Sequence, residues 1–211
     1  KKNQLIKFTD TLHATCSNHL SDLSNFFKNR NNSNVSLIEI GSGFGGLAEK
    51  IFRHKLFNNI FLFDIPHNLL TAYYYLGRCF GKDKVLLIDN INDFRKFLKT
   101  EKNKIFLIPT CFYELNQEIE EQCILANFGS FSEMDFASIE YYVKKMNKRV
   151  VALIDINSNQ KIKKNKEFDE IISDDFPIKT ESFKKIYSGK STNDLANSGR
   201  YKVSLYLRLF D

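Results

Sequence analysis

What the chain lacks removes several function classes. No two of its four cysteines, Cys16, Cys79, Cys111 and Cys123, stand in a C-x-x-C pair. That spacing offers no zinc cluster and suits free thiols in a reducing compartment. No apolar run is long enough to span a bilayer and no signal peptide is visible, so a cytoplasmic protein without a membrane span is expected. The chain opens on Lys1 instead of Met, as a trimmed segment of a longer protein would. Internal repeats are absent. The net charge of +6 comes almost entirely from Lys, and the densest basic stretch, Lys161-Ile162-Lys163-Lys164-Asn165-Lys166, has no aromatic residue between its charges. A solvated loop fits that stretch better than a nucleic-acid track, so no nucleic-acid partner is expected.

What is present is concentrated in residues 35–49. The apolar run Val35-Ser36-Leu37-Ile38-Glu39-Ile40 is followed by Gly41, Gly43, Gly45 and Gly46, and Leu47 and Ala48 then open a helical pattern. The order is strand, tight glycine turn, helix. Such a turn lets a ligand approach the backbone because no Cβ intervenes. Asp64 ends the next apolar run, Ile60-Phe61-Leu62-Phe63, where nucleotide-binding α/β folds place an acid that takes ribose hydroxyls. The glycines satisfy two fingerprints: Gly41, Gly43 and Gly46 read as G-x-G-x-x-G, while Gly41, Gly43 and Gly45 read as G-x-G-x-G. Glu39 decides between them. A carboxylate just before the turn repels a pyrophosphate and suits a cation such as the sulfonium and amino groups of S-adenosylmethionine. Acid-x-G-x-G-x-G with an acid ending strand two resembles the first two motifs of class I methyltransferases.

The remaining pattern is that of one α/β domain. Leu5, Phe8, Leu12, Cys16, Leu20, Leu23 and Phe27 recur at spacings of three and four, predicting an N-terminal helical segment within 1–34 that is a candidate cap. Residues 35–211 form the expected cofactor-binding domain. Its predicted strands are 35–40, 60–64, 105–108, 123–128 and 150–154, followed by alternating runs at 178–187 and 201–210. A further strand at 85–88 is read as an insertion, although it competes with 105–108 for third place. Predicted helices cover 46–57, 66–80 with Pro66 in the first turn, 91–99 and 135–147, with a short helix around 168–172. Five parallel strands and a terminal pair joined without a long helix describe a Rossmann-like seven-stranded methyltransferase sheet with helices on both faces.

On that frame the cofactor lies across the C-terminal edge of the first four strands. Glu39 and Gly41 face its methionine end, and Gly43 and Gly45 admit its backbone-side approach. Asp64 takes both ribose hydroxyls, or caps the next helix, and Ile65 packs on the adenine. Thr110 and Cys111 are the candidates for the adenine edge, with Asp89 in that place if 85–88 is the true third strand. Asn127 and Ser130 are placed to orient the amino and carboxylate groups. Glu133 is the candidate general base, needed because sugar hydroxyls are poor nucleophiles; its other role is charge at the following helix start. Asn127, Asp155 and Asn157 offer a loose set of oxygens, and a metal-free site is expected. His67 reads as a capping or cofactor-side residue and His54 as a surface helix residue; His13 and His19, on the N-terminal helical segment, read as structural or solvent-facing, with reach to substrate as the alternative. The polar loop 188–199 suits either a closing flap or an ordinary hairpin.

Three segments make the likeness narrower. Glu39-Ile-Gly-Ser-Gly-Phe-Gly-Gly-Leu-Ala-Glu49, then Phe63-Asp64-Ile65-Pro66 with Tyr73-Tyr74-Tyr75, then Ser130-Phe131-Ser132-Glu133-Met134 with Tyr141 or Tyr142, resemble a bacterial sugar O-methyltransferase family over about residues 35–155. The resemblance implies methyl transfer from S-adenosylmethionine to a hydroxyl of a nucleotide sugar or surface polysaccharide. Two other readings stay open. An NAD-dependent sugar oxidoreductase would use G-x-G-x-x-G with Tyr141 and Lys145 as a Tyr-x-x-x-Lys pair. A non-catalytic methyltransferase-like module would bind a glycan or a partner enzyme.

Overall fold

A computed structural model describes residues 8–31, 35–158, 172–178, 182–190 and 201–209. All but the last residue of the short helix expected around 168–172, the basic stretch 161–166 and most of the loop 188–199 lie outside the described residues.

Helix α1 (Phe8–Asn31) is followed by β1 (Ser36–Ile40), α2 (Gly46–Arg53), β2 (Ile60–Asp64) and α3 (Pro66–Phe80). Next come β3 (Val85–Leu87), α4 (Ile91–Thr100), β4 (Ile105–Pro109) and β5 (Cys123–Phe128). The described chain closes with α5 (Phe136–Lys144), β6 (Val150–Ser158), β7 (Phe183–Lys190) and β8 (Tyr201–Arg208). One sheet gathers the strands in the order β3-β4-β2-β1-β5-β6-β8-β7. All neighbours run parallel except β8, which is antiparallel to both β6 and β7.

The sheet therefore has eight strands, one more than the seven expected. The extra strand is β3. It pairs only with the outer side of β4, while β4 pairs with β2 in the register Asp64↔Pro109. Residues 105–109 thus hold the third place beside the centre, and 85–87 add an edge. Asp89 follows that edge and is exposed, two strands removed from the end of β2.

Both faces of the sheet are covered, which is why every residue of β1 and β2 is buried and most of them are apolar, Ser36, Glu39 and Asp64 excepted. On one face Leu37, Leu62, Ala126 and Ile154 meet α1, α2 and α3 through Leu20, Leu47, Ile51, Leu69 and Leu76. On the other, Ile38, Ile40, Phe61 and Phe106 meet α4 and α5 through Phe94, Ile139 and Tyr142. Helix α1 is not detached from this arrangement: Cys16, Leu20, Leu23 and Phe27 belong to the same core as β1 and α2.

Strand β6 runs to Ser158, beyond the predicted end at 154. Pairing with β8 extends it, since Asp155 faces Ser204 and Asn157 faces Lys202 across the ladder. Asp155 and Asn157 are consequently fully buried strand residues, where a loop after the strand was expected.

Candidate functional site

Strand order reverses at β1, with β2 on one side and β5 on the other. A crevice at such a switch point, outside the carboxyl ends of the strands, is where ligands bind in open α/β sheets. The glycine turn, Asp64 and the segment after β5 all end there.

Gly41 continues the ladder by one bond, donating to Phe63 O at 2.8 Å, and Gly45 N closes the turn on Ser42 O at 3.0 Å. Gly41 has φ of 75° and lies so close to Ser130 that a Cβ would collide with its side chain. Gly43 has φ of 56°, but no heavy atom lies within 4 Å of where its Cβ would stand. The first glycine is thus required by the fold, whereas the second leaves open space above the turn. Gly45 is the residue before α2, and Leu76 of α3 lies against it. The tip of the turn, Phe44, sits between His13 of α1, with ring centroids 6.0 Å apart, and Tyr75 of α3, at 5.3 Å.

Asp64 ties the turn to β2. Its Oδ2 accepts the Gly43 amide at 2.6 Å. Its Oδ1 accepts from its neighbour's amide, Ile65 N, at 2.7 Å and from Asn68 Nδ2 at 2.9 Å. Asp64 therefore both clasps the glycine turn and secures the start of α3, and Asn68, four residues on, is a partner that sequence reasoning missed. Ile65 stands at the same edge, half-exposed.

Glu39 alternates with Ile38 and Ile40 and so shares the α1–α2–α3 face with Leu37. It is only 3% exposed, and among the described residues no hydrogen-bond donor reaches its Oε2. Burial first, and then the charge of Asp64, push its carboxyl up to about 8. The Ser42 hydroxyl, inside the turn, is likewise buried without a partner. Sequence reasoning passed over Ser42, since it occupies a variable position of the fingerprint. Two buried polar groups three positions apart at a switch point, without partners among the described residues, are costly unless something else satisfies them.

The β5 side is held differently. Asn127 Nδ2 donates to Ile40 O at 2.9 Å and to Ser130 Oγ, while its Oδ1 accepts from Phe131 N at 3.1 Å and Asn157 Nδ2 at 2.8 Å. All four hydrogen-bonding positions of that amide are engaged within the protein. Ser130 Oγ donates to Ile40 O at 2.9 Å. The expected Asn127, Asp155 and Asn157 do come together, but their oxygens serve these internal bonds. Glu133 ends a short 3-10 turn, Phe131–Glu133, and is exposed. It does not cap the next helix: Asp135 does, accepting from Ser138 N at 2.7 Å.

Thr110 and Cys111 follow β4 directly, with Cys111 exposed. Thr110 is hydrogen-bonded to Tyr142, whose hydroxyl also feels the charge of Asp64; burial is the largest of the influences raising its pKa. Tyr142 thereby reaches the same edge from α5. Of the Tyr141–Lys145 pair, Lys145 Nζ forms an exposed ion pair with Glu114 at 2.9 Å, and Tyr141 is exposed. A separate apolar groove of about 560 Å³ lies between the second half of α1 and strands β7 and β8, walled by Leu23, Phe26, Ile186, Tyr187 and Leu205. None of the expected site residues lines it.

No family model matches the chain, and no curated protein matches it in sequence. Solved structures do match it in fold. Mitomycin 7-O-methyltransferase MmcR superposes with a TM-score of 0.55 at 12% identity, over 92% of this chain and 54% of that one. The chain thus spans about half of that protein. The methyltransferase domain of bacterial CtHen1 superposes with a TM-score of 0.57 at 13% identity, over 92% of this chain and 98% of that domain. Magnesium protoporphyrin IX methyltransferase ChlM from Synechocystis PCC 6803, solved with bound SAH, gives 0.56 at 9% identity, over 98% and 90%. The fold is the α/β Rossmann-like fold of class I methyltransferases, here with an added edge strand.

Proposed function

We propose that this chain is an S-adenosylmethionine-dependent O-methyltransferase whose acceptor is a sugar hydroxyl. The observation that carries the cofactor is Glu39 Oε2, buried and without a donor beside a glycine turn that leaves open space at Gly43. A cation bearing N–H donors satisfies that oxygen; a pyrophosphate does not. The proteins that share the fold are named for acceptors as different as mitomycin and magnesium protoporphyrin IX, so fold supports the reaction and not the acceptor. Support for a sugar comes from the Asp-Ile-Pro and Ser-Glu-Met segments.

In this reading Glu39 and the backbone at Gly41 hold the methionine end. Gly43 and Gly45 form the floor beneath the cofactor, and Asp64 takes the ribose. Three of roughly four acceptor positions on the Asp64 carboxylate are already used, by Gly43, Ile65 and Asn68. Gripping both ribose hydroxyls requires one donor to leave, and the Asn68 side chain is the one free to swing. Ile65 covers one face of the adenine, with Thr110 and Cys111 at its edge. Asn127 acts through the turn it holds, and Ser130 backs Gly41. Glu133, exposed at the end of the turn that follows β5, accepts the proton of the acceptor hydroxyl. Helix α1 caps the cofactor side, with His13 against Gly46 and Phe44. The cofactor supplies an electrophilic methyl; the chain aligns the acceptor oxygen with it and excludes water.

Calorimetry with S-adenosylhomocysteine tests the cofactor. Micromolar binding is expected, and no binding by folded protein overturns the reading. Incubation with labelled S-adenosylmethionine and a panel of nucleotide sugars, read by mass spectrometry, tests the acceptor. Labelled methyl on none of them removes the sugar assignment while leaving the cofactor result intact.

A further inference from the structure

The inward positions of β1, β5 and β6 on the α4–α5 face are Ile38, Ile40, Leu125 and Leu153 until the strands end. There the pattern breaks. Asn127, Asp155 and Asn157 are all fully buried and all on that face. Burying three such groups disfavours folding unless each is hydrogen-bonded, so their arrangement is informative.

The bonds form a directed chain. Asp155 Oδ1 accepts from Asn157 Nδ2, and so fixes which way the Asn157 amide faces. The same nitrogen donates to Asn127 Oδ1 at 2.8 Å, which fixes the Asn127 amide in turn. Asn127 Nδ2 is then left to grasp Ile40 O, the carbonyl immediately before Gly41. The two amide oxygens also catch the segment leaving β5: Phe131 N bonds to Asn127 Oδ1 at 3.1 Å, and Ser132 N to Asn157 Oδ1 at 3.2 Å. Phe131 is itself buried, so its amide has no ready substitute in solvent.

We propose that Asn157 is a positioning residue: oriented by Asp155 and acting through Asn127 and Ser132, it locks the 129–133 turn to the glycine turn. The proposal rests on the methyltransferase reading for its consequence, since the two turns it couples carry Glu133 and the cofactor's methionine end. Its physical content is independent of that reading. Among the described residues the side-chain hydrogen bonds of Asn157 go to Ser132, Asn127 and Asp155, and it works by holding one register between β6, β5 and β1.

The test compares the full chain with Asn157→Leu, which keeps the branched shape at somewhat larger volume and removes every side-chain hydrogen bond, and with Asn157→Ser, which replaces the amide by one small hydroxyl. Amide hydrogen exchange is read residue by residue. In Asn157→Leu the Phe131 and Ser132 amides should exchange at least tenfold faster, while Ile38 and Leu62 amides in β1 and β2 keep their protection. Asn157→Ser should show the same pattern at smaller amplitude, and it serves if the leucine variant does not fold. S-adenosylhomocysteine affinity should fall five- to tenfold in step with the exchange at Ser132. Unchanged Phe131 and Ser132 amides in a folded variant overturn the proposal. So does uniform loosening of the whole sheet, which is what a merely structural residue would give. If the unmodified protein does not bind S-adenosylhomocysteine, the functional reading fails, and the exchange pattern alone decides the coupling.

Discussion

Asp64 Oδ2 holds the Gly43 amide at 2.6 Å, so the acid that ends β2 is a structural part of the glycine turn that follows β1. Parallel pairing of the two strands brings them together, with Ile40 opposite Phe63. The same carboxylate meets the start of α3 through Ile65 and Asn68.

Asp64→Ala should therefore affect both binding and stability. Hydrogen bonds to charged groups contribute about 1.5–3 kcal/mol each, and this side chain makes three, one of them to its neighbour's amide. Counting only the two bonds that reach beyond its neighbour, a loss of about 3–6 kcal/mol is expected, a fall in Tm of roughly 6–24 °C for a domain of this size. S-adenosylhomocysteine affinity should drop at least tenfold. Asp64→Asn, which keeps one acceptor oxygen, should fall between. Thermal melts and calorimetry on the same samples check this, and unaltered affinity in a folded Asp64→Ala removes Asp64 from the cofactor site.

Glu39 makes stability depend on pH in a particular direction. Its ordinary value is 4.5, and burial followed by the charge of Asp64 raises it to about 8 in the folded chain. Between those values the folded state keeps a proton that the unfolded state has released. The contribution of Glu39 to stability is thus fully present below 4.5 and is lost as pH rises toward 8, by at most about 1.4 kcal/mol per pH unit. Glu39→Gln cannot titrate. Denaturant melts from pH 5 to pH 8 should show the variant gaining on the unmodified protein as pH rises. Parallel curves would mean that Glu39 is not held protonated.

The same residue should tie cofactor binding to proton release. A cationic ligand favours the carboxylate, so below pH 8 binding must first remove the proton from Glu39. S-adenosylmethionine affinity should rise with pH, approaching tenfold per unit well below 8 and levelling above it. Calorimetry at pH 6.5 in buffers of different ionisation enthalpy should count close to one proton released per ligand. Glu39→Gln should bind more weakly and release none through this group. A proton count near zero in the unmodified protein would separate Glu39 from the bound cation.

The parts legible in the sequence are those set by local spacing. The alternation that buries Leu37, the glycines of the turn and the acid closing β2 are all read within thirty residues of one another, and each lies where its period places it. What was not legible depends on pairing between distant segments. The extension of β6 to Ser158 is dictated by β8, some fifty residues later, and it turns Asp155 and Asn157 from loop residues into a buried relay. Ser42 has no local signal either, because its burial follows from helices packing over the turn. The strand at 85–88 was itself legible, but its place was not: it joins the sheet as an edge because the free side of β4 accepts it, a pairing that its own residues do not announce.

Gly41 and Ser130 give the sharpest steric test of the site. At φ of 75° an L side chain at position 41 is strained, and its Cβ would also collide with Ser130. The left-handed conformation alone costs about 1–2 kcal/mol for a non-glycine residue, and overpacking adds about 1–3 kcal/mol. Gly41→Ala should thus be destabilised by about 2–5 kcal/mol on those two costs together. Ser130→Gly removes the colliding atoms and leaves the backbone strain, though it also deletes the bond from Ser130 Oγ to Ile40 O. The double variant should accordingly be more stable than the sum of the two single losses, with a coupling of about 1–3 kcal/mol in a double-mutant cycle. Additive losses would show that the turn after β5 can move away from Gly41, and that the two sides of the crevice are not locked together.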